Sequence, residues 1–210
     1  MPYLFSSDMI GKTLRTLLLI ASLLAGANAV AIEEPEYAVL SVSGEVEIRR
    51  YAPYIVAEVT VSGDSADRRA FQMLAGYIFG DNDSGEKMAM TAPVETRGDE
   101  YAFVMERKYS METLPQPEDE RVQLRNKPAR VVAVRRFSGR WTERNFERHR
   151  AALLDDLAEL GVEITGEPEL ARYNSPFTPW FLRRTEIIVP VNWEAADPAA
   201  DVAGETSARL

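Results

Sequence analysis

Cysteine is absent from the 210-residue sequence, and histidine occurs once, as His149. Without cysteine the chain can form no disulfide, no thiolate metal site and no thiol nucleophile. A Ser-His-Asp triad could be built only around His149, and no Gly-x-Ser-x-Gly motif accompanies it. The sequence therefore shows no recognisable catalytic constellation, and we expect a protein that is not an enzyme.

An excess of positive charge is also lacking. Lysine and arginine number 24 against 33 aspartates and glutamates, so the formal net charge is -9 at pH 7. A nucleic-acid partner would need a basic face, and we therefore expect none. Hydrophobic residues make up 46% of the chain and charged residues 27%, as is ordinary for a globular protein.

One long apolar run is present, and it lies close to the N-terminus, at residues 17–25. Lys12 and Arg15 precede this run, and Ala27-Asn28-Ala29 follows it. This is the pattern of a secretory signal peptide, so we predict a signal peptide over residues 1–29. The run is too short for a transmembrane helix. We therefore expect a periplasmic or extracellular protein with no membrane span after cleavage.

The C-terminal segment, residues 193–210, has few large apolar residues and no clear period. This composition predicts a disordered acidic tail. Residues 35–192 remain for one folded domain, which we expect to be a monomer. This length is sufficient for a hydrophobic core without disulfides.

Two segments have the apolar period of amphipathic helices. The first runs from Ala66 to Phe79, with Gly80 as its C-terminal cap and Phe71 on its apolar stripe. The second runs from about Glu143 to Leu160. The intervening segments alternate apolar and polar residues, which predicts half-buried strands. Together these features predict an α+β fold with largely antiparallel pairing.

The two halves of the sequence repeat weakly at an offset of 75 or 76 residues. A strand ending at Val59, a Ser-Gly pair and a helix carrying Phe71 correspond to a strand ending at Val134, a second Ser-Gly pair and a helix carrying Phe146. The constant offset predicts duplication of one supersecondary unit, with chance similarity of two α+β segments as the alternative.

The segment from Tyr77 to Val94 reads as a helix end, a polar turn and a strand that holds Met88 and Met90. Two methionines two residues apart share one face of a strand, where they pack in a core or line a soft pocket. The polar turn, residues 81–85, lacks the glycine and glutamate spacing of a calcium loop. We therefore predict turn chemistry there, and no metal site.

A second notable segment, Tyr173 to Phe181, is a proline-stiffened loop that carries three aromatic residues after Tyr173, namely Phe177, Trp180 and Phe181. Such a loop either caps the core or forms the wall of an apolar site.

Several segments, in this order, resemble the SOUL/haem-binding protein family. They are Val46-Glu47-Ile48-Arg49-Arg50-Tyr51, the segment from Tyr77 to Val94, Arg136-Phe137-Ser138-Gly139, Tyr173-Asn174-Ser175-Pro176 and Arg183-Arg184-Thr185-Glu186. Val46 stands where the family has tyrosine, and Thr185 where it usually has asparagine. The similarity extends from about Tyr37 to Val191.

This resemblance implies a fold of duplicated βαββ units that form a distorted antiparallel barrel flanked by two helices. It also implies haem or another porphyrin as the ligand, held on an apolar surface beside the first helix and the aromatic loop. Carried onto this chain, the implied site residues are Arg68, Phe71, Ala75, Pro176, Phe177 and Trp180. Arg68 would be the partner of a propionate.

The sequence leaves two possibilities for the haem iron, with or without a histidine ligand from the protein. Some family members are thought to use a histidine near the first helix, and this chain has none in its first half. His149 is either an axial ligand or a hydrogen-bonded residue at the edge of the core. We predict reversible binding by apolar contact and an arginine, without histidine ligation.

Two alternatives remain beside tetrapyrrole binding. One is an interaction or envelope-stress protein that shares only the fold, since fold does not fix function. An apolar cleft filled by the protein's own side chains would favour it. The other is an enzyme that acts on tetrapyrroles, for example by removing the metal.

Overall fold

The structure, a computed structural model, describes residues 32–193. The predicted signal peptide and the predicted tail, apart from Trp193, lie outside the described residues. Two helices, α1 and α2, span Ala66–Phe79 and Glu143–Glu159. The strands β1 to β10 are Tyr37–Ser43, Val46–Tyr51, Tyr54–Thr60, Val94–Arg97, Glu100–Val104, Gln123–Lys127, Arg130–Phe137, Glu163–Ile164, Glu169–Arg172 and Thr185–Asn192, and a 3-10 turn spans Trp180–Leu182.

The strands form one antiparallel sheet in the order β1-β2-β7-β10-β9-β4-β5-β3-β6, and β8 pairs with β10. Strands β7 and β3 are five positions apart, or about 24 Å in a flat sheet. Yet Arg130 Nη2 on β7 donates to the Tyr54 hydroxyl on β3 at 3.0 Å. The sheet is therefore strongly curled, and the predicted α+β fold with a barrel-like antiparallel sheet is confirmed.

The strand order is symmetric about the pair β9-β4. The strands form two sets of four in chain order, β2 to β5 and then β6, β7, β9 and β10. If each strand of one set is replaced by its counterpart in the other, the order from β2 to β6 is the same read backwards. Each helix lies between the second and third strand of its set. Two copies of one unit would produce this order, while duplication in the sequence itself stays a prediction.

Both helices pack on the same outer face of the curled sheet. Helix α1 buries Ala70, Leu74 and Ile78 against β3 and β5, and α2 buries Leu153 and Leu157 against β7 and β10. The outward-facing residues of β10, β9, β4 and β5 connect these two cores. Across these strands Ile187 pairs with Leu170, Leu170 pairs with Thr96, and Thr96 pairs with Tyr101. The helices therefore flank a strip of sheet that neither of them covers.

The ends of both helices are set by local sequence. Thr142 accepts a hydrogen bond from the amide of Asn145 and so caps α2. Gly80 ends α1 with φ 121°, a value that side chains disfavour. The predicted bounds of α1 are confirmed, and those of α2 differ by one residue.

Two sequence predictions about side chains need correction. Met88 and Met90 do not share a strand face, because β4 begins only at Val94. The Met88 amide donates to the Ile78 carbonyl at 2.8 Å, so this segment follows the end of α1 as an irregular chain. Met88 is buried and Met90 is exposed. Phe71 lies at the flank of the α1 stripe, 44% exposed, with its ring edge against Phe103.

The polar turn after α1 is organised by one buried side chain, Asn82. Its amide group donates to the carbonyls of Tyr77 and Glu86 at 3.0 and 2.8 Å. Its carbonyl oxygen accepts from Ser84 and from the amide of Glu86, both at 3.0 Å. All the hydrogen-bonding groups of Asn82 are engaged within the turn, which agrees with turn chemistry.

Candidate functional site

A groove of about 670 Å³ opens on the outer face, between the start of α1 and the start of α2. Its floor is the uncovered strip of sheet, with Thr96, Leu170 and Arg172 on the two central strands. Asp67 borders it on α1, and Trp141 borders it at the α2 end. The volume falls within the range of about 300–1,000 Å³ that is common for ligand sites.

The groove combines aromatic side chains with charged ones. Its aromatic and apolar lining includes Tyr101, Phe137, Trp141, Phe146 and Leu170. Its cations are Arg140, Arg150 and Arg172, and its carboxylates are Asp67, Glu143 and Glu167. Arg172 is paired with Asp67 at 3.2 Å, and Arg150 is paired with Glu147. Arg140 forms no ion pair within residues 32–193. Arg140 is thus the groove cation without an ion pair among the described residues, and its guanidinium lies over the ring of Trp180, 5.7 Å from the centroid.

Trp141 forms a fixed wall of the groove. Its indole N–H donates to the hydroxyl of buried Thr185 at 3.1 Å. The guanidinium of Arg183 lies over its ring, 4.3 Å from the centroid, and that of Arg172 lies at 5.6 Å. These contacts hold the ring in place by a hydrogen bond and by cation–π attraction.

The aromatic loop borders a second concavity of about 560 Å³. This concavity is lined by Pro176, Phe177 and Trp180 together with Arg140 and Trp141. Because Arg140 and Trp141 also line the groove, the two spaces meet at Trp141. The loop does not cap the core, since Phe177 and Trp180 are both exposed.

The six residues implied by the resemblance fall into two groups. Pro176, Phe177 and Trp180 lie together on the aromatic loop, whereas Arg68, Phe71 and Ala75 lie on α1. The α1 group lines neither the groove nor the loop concavity. A single joint site built from both groups stays a prediction.

A chain of contacts crosses the groove between these groups. Asp67, which precedes Arg68 on α1, pairs with Arg172, and Arg172 lies over the ring of Trp141. Arg183, which also lies over that ring, donates to the carbonyls of Pro176 and Thr178 at 2.7 and 2.9 Å. The groove therefore occupies the space between the two predicted groups.

The sequence analysis missed the groove residues Arg140, Trp141 and Arg172. Trp141 could have been noticed, because it follows the Arg136-Phe137-Ser138-Gly139 motif and directly precedes the helix cap Thr142. An aromatic residue at that position often contacts the first turn of its helix. Nothing local marks Arg172, whose part in the groove depends on the pairing of β9 with β4.

His149 is engaged elsewhere. Its ring stacks on Phe137 with centroids 4.2 Å apart, and its Nε2 lies 3.1 Å from Nη2 of Arg148. Burial lowers the pKa of His149, and the charges of Arg148 and Arg135 lower it further. Phe137 lines the groove, but His149 does not. No cluster of three histidine or acidic residues in the described chain could hold a metal ion.

The inner face of the sheet carries a buried ion cluster centred on Glu186. Arg49 Nη1 donates to its carboxylate at 2.8 Å, Arg184 Nε at 2.9 Å and the Tyr173 hydroxyl at 3.0 Å. Burial raises the pKa of Glu186, but the hydrogen bonds and charges of Arg49 and Arg184 outweigh it, so the pKa lies below its ordinary value. Three of the segments that carry the family resemblance therefore meet at one carboxylate.

A second buried cluster lies on the same face around Glu95 and Glu169. Arg130 donates to both oxygens of Glu169, at 2.8 and 2.7 Å. Tyr54 donates to Glu95 at 2.8 Å, and Lys127 pairs with both carboxylates. Burial and the negative charge of Glu95 raise the pKa of Tyr54 well above its ordinary value, so Tyr54 remains a hydrogen-bond donor.

Apolar side chains fill the space between these two ion clusters. Val56, Val104, Val132, Val134 and Ile188 are all buried there. The cavity beside Glu95 and Glu169 measures only about 20 Å³, enough for about one water molecule. Buried side chains therefore occupy this part of the interior of the curled sheet, whereas the outer groove is open.

Within the described residues, no helix is both long enough and apolar enough to cross a membrane.

Solved structures with a similar fold come from varied proteins. The C-terminal domain of EcmrR is 12% identical, with a TM-score of 0.53 over 75% of this chain and 99% of that domain. A hydrolase from Listeria innocua is 14% identical, with a TM-score of 0.53 over 73% of this chain and 94% of its own. At these identities the likeness shows the fold alone. No curated protein matches the chain.

A protein-family model described as SOUL heme-binding protein matches residues 32–190. The match covers nearly all of the described chain and includes both ion clusters, the groove and the aromatic loop. It supports haem or another porphyrin as the bound ligand, and it describes a binding family rather than an enzyme family. The chain therefore belongs to the SOUL haem-binding protein family.

Proposed function

We propose that this protein is an exported carrier that binds haem or a related porphyrin reversibly in the outer groove, without histidine ligation and without catalysis. The observation that carries the proposal is the groove itself. It is open, it has an aromatic wall at Trp141 and a cation, Arg140, that forms no ion pair within residues 32–193, and it continues onto the aromatic loop.

The chemistry of the groove suits a planar apolar ring with acidic side groups. Trp141 and Phe146 offer apolar surface to a macrocycle. Arg140 can form charge-assisted hydrogen bonds with a propionate.

Histidine-free binding is supported by the position of His149. It does not line the groove, and its Nε2 is hydrogen-bonded to Arg148, so ligation through Nε2 would require that contact to break. Affinity then arises from burial of the macrocycle and from arginine contacts with propionates. Such a site releases its ligand readily, as a carrier must.

Export is supported by the sequence pattern of residues 1–29 alone. The absence of cysteine is compatible with either side of a membrane. Fractionation of cells that express the full chain, with N-terminal sequencing of the product, tests this part. A product that retains residues 1–29 would contradict it.

Titration of the purified protein with haemin tests ligand binding. We expect a shift of the Soret band and quenching of tryptophan fluorescence, because Trp141 and Trp180 border the site. Absence of both changes at about 50 µM haemin would exclude a carrier of useful affinity. That result would favour the alternative of an interaction protein. This alternative predicts a cleft filled by the protein's own side chains, whereas the groove is open. Release of iron from bound haem, absent with denatured protein, would instead indicate the metal-removing enzyme.

A further inference from the structure

The aromatic loop forms an exposed apolar ridge at its outer end. The ridge consists of Phe177, Trp180, Phe181 and Leu182, whose exposed fractions are 96%, 50%, 58% and 64%. Single exposed apolar residues are common on protein surfaces, but four large ones within six positions are not. The cost of leaving this surface in water indicates a partner.

The ridge is braced by hydrogen bonds within its own loop and by one to Gly139. Arg183 binds the carbonyls of Pro176 and Thr178, and the Gly139 amide donates to the Trp180 carbonyl at 3.0 Å. The rings of Trp180 and Phe181 meet edge to face, 5.5 Å apart. In a 3-10 turn, successive side chains point about 120° apart, so Trp180, Phe181 and Leu182 project in different directions. The result is a convex, braced tip rather than a flat patch.

The surroundings of the ridge are positive although the protein as a whole is acidic. Residues 135–142 and 173–185 contain five arginines and no aspartate or glutamate, in a chain of net charge -9. Within residues 32–193, Arg136, Arg140 and Arg183 form no ion pair. The neighbouring carboxylates Glu45 and Glu47 are paired with Arg135 and Arg49.

We propose that the ridge docks the protein on a phospholipid surface. Phe177, Phe181 and Leu182 enter the boundary between headgroups and acyl chains, where aromatic and apolar side chains are favourable. Arg136, Arg140 and Arg183 contact lipid phosphates. A convex tip ringed by arginine suits a deformable anionic surface better than a second copy of the chain, which would present the same positive ring.

This inference does not depend on porphyrin binding. Phe181 and Leu182 border one concavity, together with Val42 of β1 and Glu47 of β2. Phe177 and Trp180 border a different concavity, which contains Trp141. Leu182 can therefore be changed without altering the proposed porphyrin site, whereas Phe181 packs its ring against Trp180.

Vesicle binding of the full chain tests the proposal. We expect co-sedimentation with phosphatidylcholine vesicles that contain phosphatidylglycerol, and weaker binding to phosphatidylcholine alone. Lipids brominated near the headgroup end of the chain should quench tryptophan fluorescence, through Trp180. The double variant Phe181→Ser with Leu182→Ser should bind about tenfold more weakly or worse, because two side chains no longer enter the interface.

A matched control removes the same kinds of side chain elsewhere. Phe79→Ser with Leu160→Ser changes residues that are 54% and 46% exposed at the ends of the two helices, and it should leave vesicle binding unchanged. Equal loss in both double variants, or no binding by the wild type, would overturn the proposal. Full binding of the ridge variant to anionic vesicles would also overturn the proposal, because the attraction between protein and lipid would then be electrostatic only.

Two further measurements separate the remaining outcomes. The single variant Leu182→Ser keeps the ring of Phe181 against Trp180. It should bind vesicles more weakly and titrate with haemin like the wild type, so that failure of vesicle binding and failure of porphyrin binding are distinguishable. Light scattering after size exclusion should show a monomer with or without the ridge substitutions. A wild-type dimer that the substitutions dissociate would assign the ridge to self-association and would overturn lipid docking.

Discussion

Arg49 and Glu186 are separated by 137 residues in the chain, and their side chains form an ion pair of 2.8 Å inside the curled sheet. Both side chains are almost wholly buried. Arg49 belongs to the first segment that carries the family resemblance, and Glu186 to the last. The resemblance therefore reflects, in large part, residues that close the fold rather than residues that line the groove.

Removal of one partner of this pair should destabilise the fold strongly. We expect Arg49→Met to lower the free energy of unfolding by about 3–5 kcal/mol, because it leaves the Glu186 carboxylate buried with fewer donors. Urea unfolding followed by circular dichroism measures the change. The control Arg121→Met breaks a pair on an exposed surface and should cost less than about 1 kcal/mol. Equal effects of the two substitutions would contradict this assignment.

Stability should decrease in acid. Burial opposes ionisation of Glu186 and Glu169, yet their arginine partners hold both pKa values below the ordinary value of 4.5. The unfolded chain therefore binds protons at a higher pH than the folded chain does, and stability is lost as the pH falls from about 4.5 downward. We expect a lower urea midpoint at about pH 3.5 than at pH 7. Glu186→Gln should show a smaller decrease between the two pH values, because one titrating group is gone.

Substitution of the single histidine should not impair ligand binding. His149→Phe keeps a ring stacked on Phe137 and removes the only imidazole. We expect the haemin Kd to stay within about twofold of the wild-type value, with the Soret band unmoved. A loss of tenfold or more, with a changed Soret band, would establish His149 as an axial ligand.

Aromatic substitutions should locate the porphyrin. Trp141→Ala removes the wall shared by groove and loop, and we expect a Kd at least about tenfold higher. Phe177→Ala should weaken binding less, and Phe71→Ala least, because Phe71 lines neither space. Phe79→Ala, an exposed aromatic at the far end of α1, is the control. If Phe71→Ala weakens binding most, the ligand contacts the α1 part of the surface that the resemblance implies, and the groove assignment fails.

Local features of the sequence were sufficient to predict the helices. Helix α1 was predicted from its apolar period and from Gly80, and both are properties of consecutive residues. The α+β class and the antiparallel sheet followed from alternation and from the two one-sided helices. The exposure of Phe71 could not be predicted from the sequence, because it depends on how far α1 is rotated about its axis on the sheet.

The groove could not be predicted from the sequence. Its walls come from Asp67 and Trp141, and its floor from Thr96 and Arg172, so it exists only once β4 and β9 pair at the centre of the sheet. The wrong prediction of a strand at Met88 has a similar origin. The Met88 amide forms a hydrogen bond to the end of α1, and the chain there is not part of a strand. The aromatic loop was predictable because its prolines and aromatic residues are consecutive.

Comparison of two ligands tests the central claim most directly: haemin and its iron-free counterpart, protoporphyrin IX, titrated into the same protein. If the macrocycle is held by apolar contact and arginine, iron contributes little, and the two Kd values should agree within about threefold. Binding of haemin at least a hundredfold tighter than protoporphyrin IX would contradict the account, because it would require a bond from the protein to iron.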